Sequence, residues 1–271
     1  MSSTGPGTLR ALVSERFTER DLGAILSPQA RLLCAVTDWD GLSLEQAASV
    51  IVAETLACGQ REIAETFTDQ SHEAIVISGI IKGEPTRQLL LATYGGDGGV
   101  AELRSYFKYM YPFTLIREAV MTACGDLPAQ AWAVQALDPD SGETHDSIRN
   151  FPYADDLVFY SPVLRKGAAP EPLAYKVLCH ASSIYGVRRW SDLALTLGDK
   201  RLGFFDADIQ GQAMEMANVL TFSAGKMSEI VSFARPWPTS MALYSRIKAR
   251  LVDQVEPEFF WDEQPDFDSY L

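Results

Sequence analysis

The chain says nearly the same thing twice, and that repetition constrains its fold more than any other feature. Residues 74–94 (AIVISGIIKGEPTRQLLLATY) and 202–222 (LGFFDADIQGQAMEMANVLTF) share one pattern at an offset of 128: an apolar strand, a turn centred on Gly83 or Gly211, and a second apolar strand ending in Tyr94 or Phe222. The correspondence continues on both sides. Val100-Ala101-Glu102-Leu103 matches Met227-Ser228-Glu229-Ile230, and Leu32 to Val36 matches Phe159 to Val163. A period this long implies a duplicated domain rather than a solenoid of short units.

At 271 residues the chain has room for two domains at roughly 100 to 200 residues each, and 47% hydrophobic residues can supply two cores. The boundaries read as a first domain over 9–122, a connection over 123–150, a second domain over 151–252 and an acidic, aromatic tail over 253–271. The net charge of −13 argues against a nucleic-acid surface, which needs a basic patch to displace counterions. Much of that charge is local: Asp253, Glu256, Glu258, Asp262, Glu263, Asp266 and Asp268 follow Arg250 without a Lys or Arg among them.

Neither a signal peptide nor a membrane span is evident, so the expected compartment is the cytoplasm. Cys34, Cys58, Cys124 and Cys179 are too scattered for a zinc or redox site. No metal cluster, phosphate loop, nucleophile elbow or dinucleotide fingerprint appears, so no metal or cofactor is expected.

Each half reads as helix first and sheet second. Leu44 to Ala57 and Pro172 to Tyr185 carry apolar residues at helical spacing, whereas Ala74 to Ile81, Gln88 to Tyr94, Leu202 to Ile209 and Met214 to Phe222 are strand-length runs split by glycine turns. Segregated helices and hairpins mean an α+β class, with helices on one face of an antiparallel sheet. A short helix is expected near residues 129–136.

The second half carries Ala154-Asp155-Asp156-Leu157-Val158-Phe159-Tyr160-Ser161-Pro162-Val163, then Phe205-Asp206-Ala207-Asp208-Ile209-Gln210-Gly211, then Gly225-Lys226-Met227-Ser228-Glu229-Ile230 and Ala234-Arg235-Pro236. In these segments it resembles the nuclear transport factor 2-like superfamily, and within it the SnoaL-like, polyketide cyclase-like branch. The resemblance covers about residues 150–250 and, through the repeat, extends more weakly to 9–120. It implies two tandem cone-shaped domains, each a curved antiparallel sheet packed on helices around a ligand cavity, forming a fused pseudo-dimer that is monomeric or a homodimer. It implies no single reaction, since the superfamily spans isomerase-like, hydrolase-like, dehydratase-like and cyclase-like enzymes and members without chemistry; function must come from the site.

At matched positions the second half is polar where the first is not: Asp206 against Ser78, Asp208 against Ile80, Asn218 against Leu90. Burying unpaired polar groups costs a few kcal/mol, which places an active site in the second half with the first as its structural partner. His180, on the edge of the apolar helix face, is a candidate general base or acid, or else a core-edge histidine bonded to a carbonyl. Asp206 and Asp208, two apart on one strand, share a side of the sheet; facing a cavity they would form an acid beside a base, facing solvent they would simply be hydrated. Asn218 stands where isomerase-like relatives carry a pocket acid and can donate and accept hydrogen bonds but not transfer a proton, so its possible roles are an oxyanion-type donor or a satisfied buried amide. Arg235 stands near where a cyclase-like relative places its carboxylate; it either clamps an anionic group or pairs with a neighbouring acid.

Tyr160, Tyr185, Trp190, Phe204, Met216 and Trp237 suit the wall of a largely apolar pocket. The expectation is a cofactor-independent acid/base enzyme (cyclase, isomerase, dehydratase or hydrolase) acting on a small apolar or carbonyl-containing molecule. The alternative is a binding or assembly module without turnover. The aromatics of the tail suggest docking across the other half or a second chain, the alternative being a loosely solvated segment.

Overall fold

A computed structural model of the chain describes residues 7–37, 39, 41–108, 110–125, 127, 152–165, 173–209 and 211–260. Its residues cluster into two compact units, Met1–Phe107 with Pro112–Ala133, and Lys108–Tyr111 with Val134–Leu271. The class is α+β, built on antiparallel hairpins and several helices. The expected helix near residues 129–136, most of the connection over 123–150, and the tail beyond Phe260 lie outside the described residues.

In the first unit a 3-10 segment Thr8–Val13 precedes α1 (Glu19–Ile25), β1 (Leu26–Leu33), α2 (Leu44–Ala57), β2 (Gly59–Thr68), β3 (His72–Ile81), β4 (Glu84–Tyr94), β5 (Val100–Lys108) and α3 (Met110–Cys124). Its strands run in the order β2-β3-β4-β5, with β1 parallel to β5. The second unit holds β6 (Tyr153–Tyr160), α4 (Leu173–Ile184), β7 (Arg188–Leu197), β8 (Lys200–Asp208), β9 (Ala213–Ser223), β10 (Lys226–Arg235), α5 (Trp237–Leu251) and a 3-10 turn at Pro257–Phe259. Here the order is β7-β8-β9-β10, with β6 parallel to β10.

Local chemistry explains the element boundaries. α2 opens with a capping box: the Ser43 hydroxyl accepts the Gln46 N–H at 3.2 Å and the Gln46 amide oxygen accepts the Ser43 N–H at 2.9 Å, so two of the unpartnered donors of the first turn are satisfied reciprocally. Thr18 and Asp21 do the same for α1. The hairpin turn of β3 and β4 is Lys82-Gly83, both at positive φ (47° and 87°), and that of β9 and β10 is Ala224-Gly225, at 48° and 77°. Two-residue turns of this hand match the twist of the strands they join and so set the pairing register.

The repeat seen in the sequence reappears in the pairings. Ile77 faces Gln88 and Ile75 faces Leu90 in the first unit; Phe205 faces Met216 and Gly203 faces Asn218 in the second, at the same offset as the sequence repeat. The parallel pair follows suit one position short of that offset, with Leu32 against Leu103 and Phe159 against Ile230, and both pairs carry an irregular step at the same place. α3 and α5, each of which follows the last strand of its unit, were not anticipated. The start of α5 nevertheless has a sequence signal, a proline within the first two helical positions, where a missing N–H costs nothing.

The first unit also buries polar groups. Glu54, Thr55, Glu73, Gln88 and Ser105 are all fully buried. A carboxylate oxygen of Glu54 accepts the Val36 N–H at 2.9 Å. One oxygen of Glu73 takes the Leu9 N–H at 3.2 Å and the Tyr94 hydroxyl at 2.5 Å, tying the Thr8–Val13 segment to β3. The Gln88 amide donates to Thr55 at 3.2 Å and to Ser105 at 3.0 Å. Polar groups of the first half stand opposite apolar ones of the second, such as Gln88 against Met216, and Glu54, Glu73 and Gln88 are each buried with at least one hydrogen bond.

Among the described residues no helix is long and apolar enough to cross a membrane. The matched turn glycines should behave alike: Gly83→Ala and Gly211→Ala, at φ of 87° and 84°, should each destabilise the fold by about 1 to 2 kcal/mol, measured by urea denaturation.

Candidate functional site

The second unit encloses a cavity of about 90 Å³, several waters' worth of space. Its floor is one face of the sheet: Phe205 and Gly203 from β8, Met216, Asn218 and Leu220 from β9, Ile230 and Ser232 from β10. Leu178, Ala181 and Tyr185 close it from above, spaced three and four apart at the end of α4 and just beyond, as one helix face requires. Arg188 and Trp190 of β7 and Tyr153 and Phe159 of β6 complete the wall.

Four of the candidates from the sequence therefore meet here: Tyr185, Trp190, Met216 and Asn218. Phe205 anchors the aromatic part, with the Trp190 ring tilted on it at 4.7 Å between centroids and Tyr185 edge-on at 5.9 Å. Trp190 is 47% exposed, so it belongs to the rim. Asn218 is 9% exposed, and its side-chain oxygen accepts the hydroxyl of buried Ser232, directly across the ladder, at 2.5 Å. Burial lifts the phenol pKa of both Tyr153 and Tyr185 above the ordinary tyrosine value. Arg188 is buried and its guanidinium lies 5.9 Å from the Tyr185 ring.

Sequence reasoning missed Arg188, Tyr153 and Ser232. The two-residue turn at Ala224-Gly225 signals only the near register, with Val231 opposite Asn218, and the irregular step between Met227 and Glu229 moves Ser232 into that place. Arg188 and Tyr153 carry no such signal, since each depends on how an edge strand lies.

The remaining candidates are elsewhere. Strand alternation puts Gly203 and Phe205 on the cavity face, and so Phe204, Asp206 and Asp208 on the other. The inward-facing aspartate pair is thereby corrected. Asp206 stands between Arg189 of β7 and Glu215 of β9 in the ladder, and Glu215 forms an ion pair with fully buried Arg235 of β10. In this cross-strand row the like-charged Asp206 and Glu215 are flanked by Arg189 and Arg235, and the ion pair with Glu215 makes Arg235 a structural partner and not a clamp on a cavity ligand. Asp208 serves the hairpin turn, where its carboxylate accepts the Gly211 N–H at 2.5 Å.

His180 does not line the cavity; its backbone oxygen receives the Ser183 hydroxyl and the Arg250 guanidinium of α5. Partial burial, reinforced by Arg250 and Lys176, holds its imidazole pKa below the ordinary value. Tyr160 follows the cavity-lining Phe159 and so takes the opposite side of β6. Trp237 is buried at the first turn of α5. Among the described residues no histidine or carboxylate lines the cavity, and no cluster of three metal-ligating side chains occurs. The start of the tail docks on its own unit: the Phe259 carbonyl accepts the Arg165 N–H at 2.9 Å, Phe260 is 4% exposed, and Lys248 lies 5.9 Å from its ring.

Two solved structures are similar to part of the chain. One is an uncharacterised bacterial protein with a cystatin-like fold from Silicibacter pomeroyi, 21% identical over 38% of this chain and 73% of its own, at a TM-score of 0.35. The other is a steroid delta-isomerase from Pseudomonas aeruginosa, 19% identical over 41% of this chain and 81% of its own, at a TM-score of 0.36. No protein-family model and no curated protein matches the chain.

Because removing one partner of a buried ion pair strands the other, Glu215→Gln should cost about 3 kcal/mol in chemical denaturation. The row lies on the sheet face away from the cavity, so the same variant should keep ligand affinity within about twofold of wild type.

Proposed function

We propose that the second unit is a receptor for a small, largely apolar molecule, and that the chain is a tandem of two domains of the nuclear transport factor 2-like kind in which the first is filled and structural. The tandem reading is supported by the common strand order and by pairings that recur at the offset of the sequence repeat or one position short of it. The receptor reading rests on one observation above all. The cavity's polar side chains are Asn218, Ser232, Arg188, Tyr153 and Tyr185, while the groups that titrate near neutrality, or pair to do so, lie outside it.

Acid/base turnover at physiological pH needs a group that gains and loses a proton there. Arginine stays charged, tyrosines whose pKa is raised stay protonated, and an amide transfers no proton. What these groups do well is orient: an apolar body is held by Phe205, Leu178, Met216 and Ile230, and one or two polar atoms are read by the amide or the guanidinium. The competing proposal, a cofactor-independent cyclase, isomerase, dehydratase or hydrolase, would have to work through polarisation of a bound carbonyl by Asn218 or Arg188.

The two proposals separate by pH. Calorimetric titration with one- and two-ring ketones and hydrocarbons should give affinities flat between about pH 5.5 and 8, and His180→Ala and Asp206→Asn should bind as wild type does. Conversion of a bound ketone, with a His180-dependent limb near the imidazole range, would overturn the receptor reading in favour of the enzyme.

His180 should instead appear in stability. Its folded pKa lies below the unfolded value near 6.5, so the unfolded chain binds the extra proton first. Its contribution is complete above about pH 6.5 and fades as pH falls through the folded value. The drop in melting temperature from pH 7.5 to 5.5 should therefore be smaller in His180→Gln than in wild type.

A further inference from the structure

We propose that Gly203 and Asn218 form a recess in this cavity that receives the carbonyl oxygen of a planar, otherwise apolar ligand, and that glycine at 203 keeps the recess open. The inference rests on the receptor reading and names the ligand class of that site.

Gly203 sits within β8 at a backbone conformation that does not call for glycine, since it is absent from the positive-φ residues. A glycine inside a strand weakens it and commonly marks a close approach by something else. A methyl group built on Gly203 would meet no atom within 4 Å, so the position opens on empty space in the cavity wall. The first unit shows what the same position looks like when filled. Ile75, its counterpart in the repeat, is fully buried and pairs with Leu90 as Gly203 pairs with Asn218. The ladder thus accepts a branched side chain here, and the second unit lacks one.

Directly across the ladder from the missing side chain is Asn218. Its oxygen is occupied by the Ser232 hydroxyl, which orients the amide so that its two N–H donors are left over at the cavity. Among the described residues those donors have no partner, in a residue nine-tenths buried. The amide nitrogen is not among the fully buried polar atoms left without a partner, and a ligand acceptor laid over Gly203 would take its N–H groups.

The edge strand contributes the entrance. β7 pairs Trp190 with Phe205 and then skips to Ala194 opposite Gly203; between them the Leu193 N–H turns back to the Ser191 hydroxyl at 3.1 Å. The ladder is therefore interrupted beside Gly203, and the Trp190 ring, leaning on Phe205, forms a flat rim there. A rigid, planar ring fits this slot, with its carbonyl at the Gly203 end.

The test is calorimetric titration of the full chain with 1-indanone and indane, which differ only in the carbonyl. Wild type should bind indanone about tenfold tighter than indane. Asn218→Leu, which recreates the Leu90 and Ser105 combination of the first unit, should equalise the two without weakening indane. Gly203→Val should lose more than about tenfold for both ligands while melting at or above the wild-type temperature, and Gly203→Ala should fall between. A folded Gly203→Val that binds like wild type, or a wild type indifferent to the carbonyl, overturns this inference and leaves the receptor reading standing. If wild type binds neither compound, the receptor reading itself fails.

Discussion

The register of the β8–β9 hairpin decides what the second unit can do. Side chains alternate with period two along a strand, so a slip of one residue would exchange every cavity residue for its neighbour. With Phe205 opposite Met216, the cavity receives glycine, phenylalanine, methionine and asparagine. One step over, it would receive Phe204, Asp206 and Glu215, an acidic wall suited to quite different chemistry. The turn that holds this register is closed by the Ile209 and Gln212 backbones at 2.8 Å and braced by Asp208. That aspartate, a candidate for catalysis in the sequence, does its work by selecting which of its neighbours face the cavity.

The two units solve the same burial problem in opposite ways. The first fills its interior and brings polar groups in with partners: Gln88 bridges Thr55 and Ser105, and Glu54 and Glu73 take backbone N–H groups. Burial also pushes the Cys58 thiol up to about 12, so it behaves as a small apolar group. The second puts Met216 where the first has Gln88 and glycine where the first has isoleucine, and keeps space instead of contacts. An unfilled interior costs stability, of the order of 24 cal/mol per Å³ of cavity in core-truncation series, and such a cost is commonly retained where the space is used.

Much of the fold was legible in the chain. The bounds of α2 could be read from the apolar spacing and its capping serine, and the hairpins from Gly83, Gly211 and Gly225 at positive φ. The strand pairings that recur within the two units follow the offset of the repeat. The phase of β8 was not legible. Leu202, Phe204, Phe205 and Ala207 are all buried, so both faces of that strand are covered and the alternation that normally marks an inside and an outside is erased. The candidate aspartates were misplaced for this reason. His180 was misjudged for another: it lies beside the apolar face of α4, and a helix position one residue from a lining side chain points about 100° away from it. Asn218 stood out because the repeat makes divergence at matched positions visible, and Met216, Tyr185 and Trp190 because large apolar side chains suit a pocket wall.

β7 ends the strand order of its unit, and an unpaired strand edge invites a second chain to add itself. The interruption after Trp190, with charged Arg189 and Asp192 exposed on either side, spoils the straight row of donors and acceptors that such an addition needs. On the receptor reading one irregularity thereby does two jobs, admitting a small guest and refusing a large one. A redesign that straightened this edge for the sake of a tighter sheet would trade a selective doorway for a sticky border.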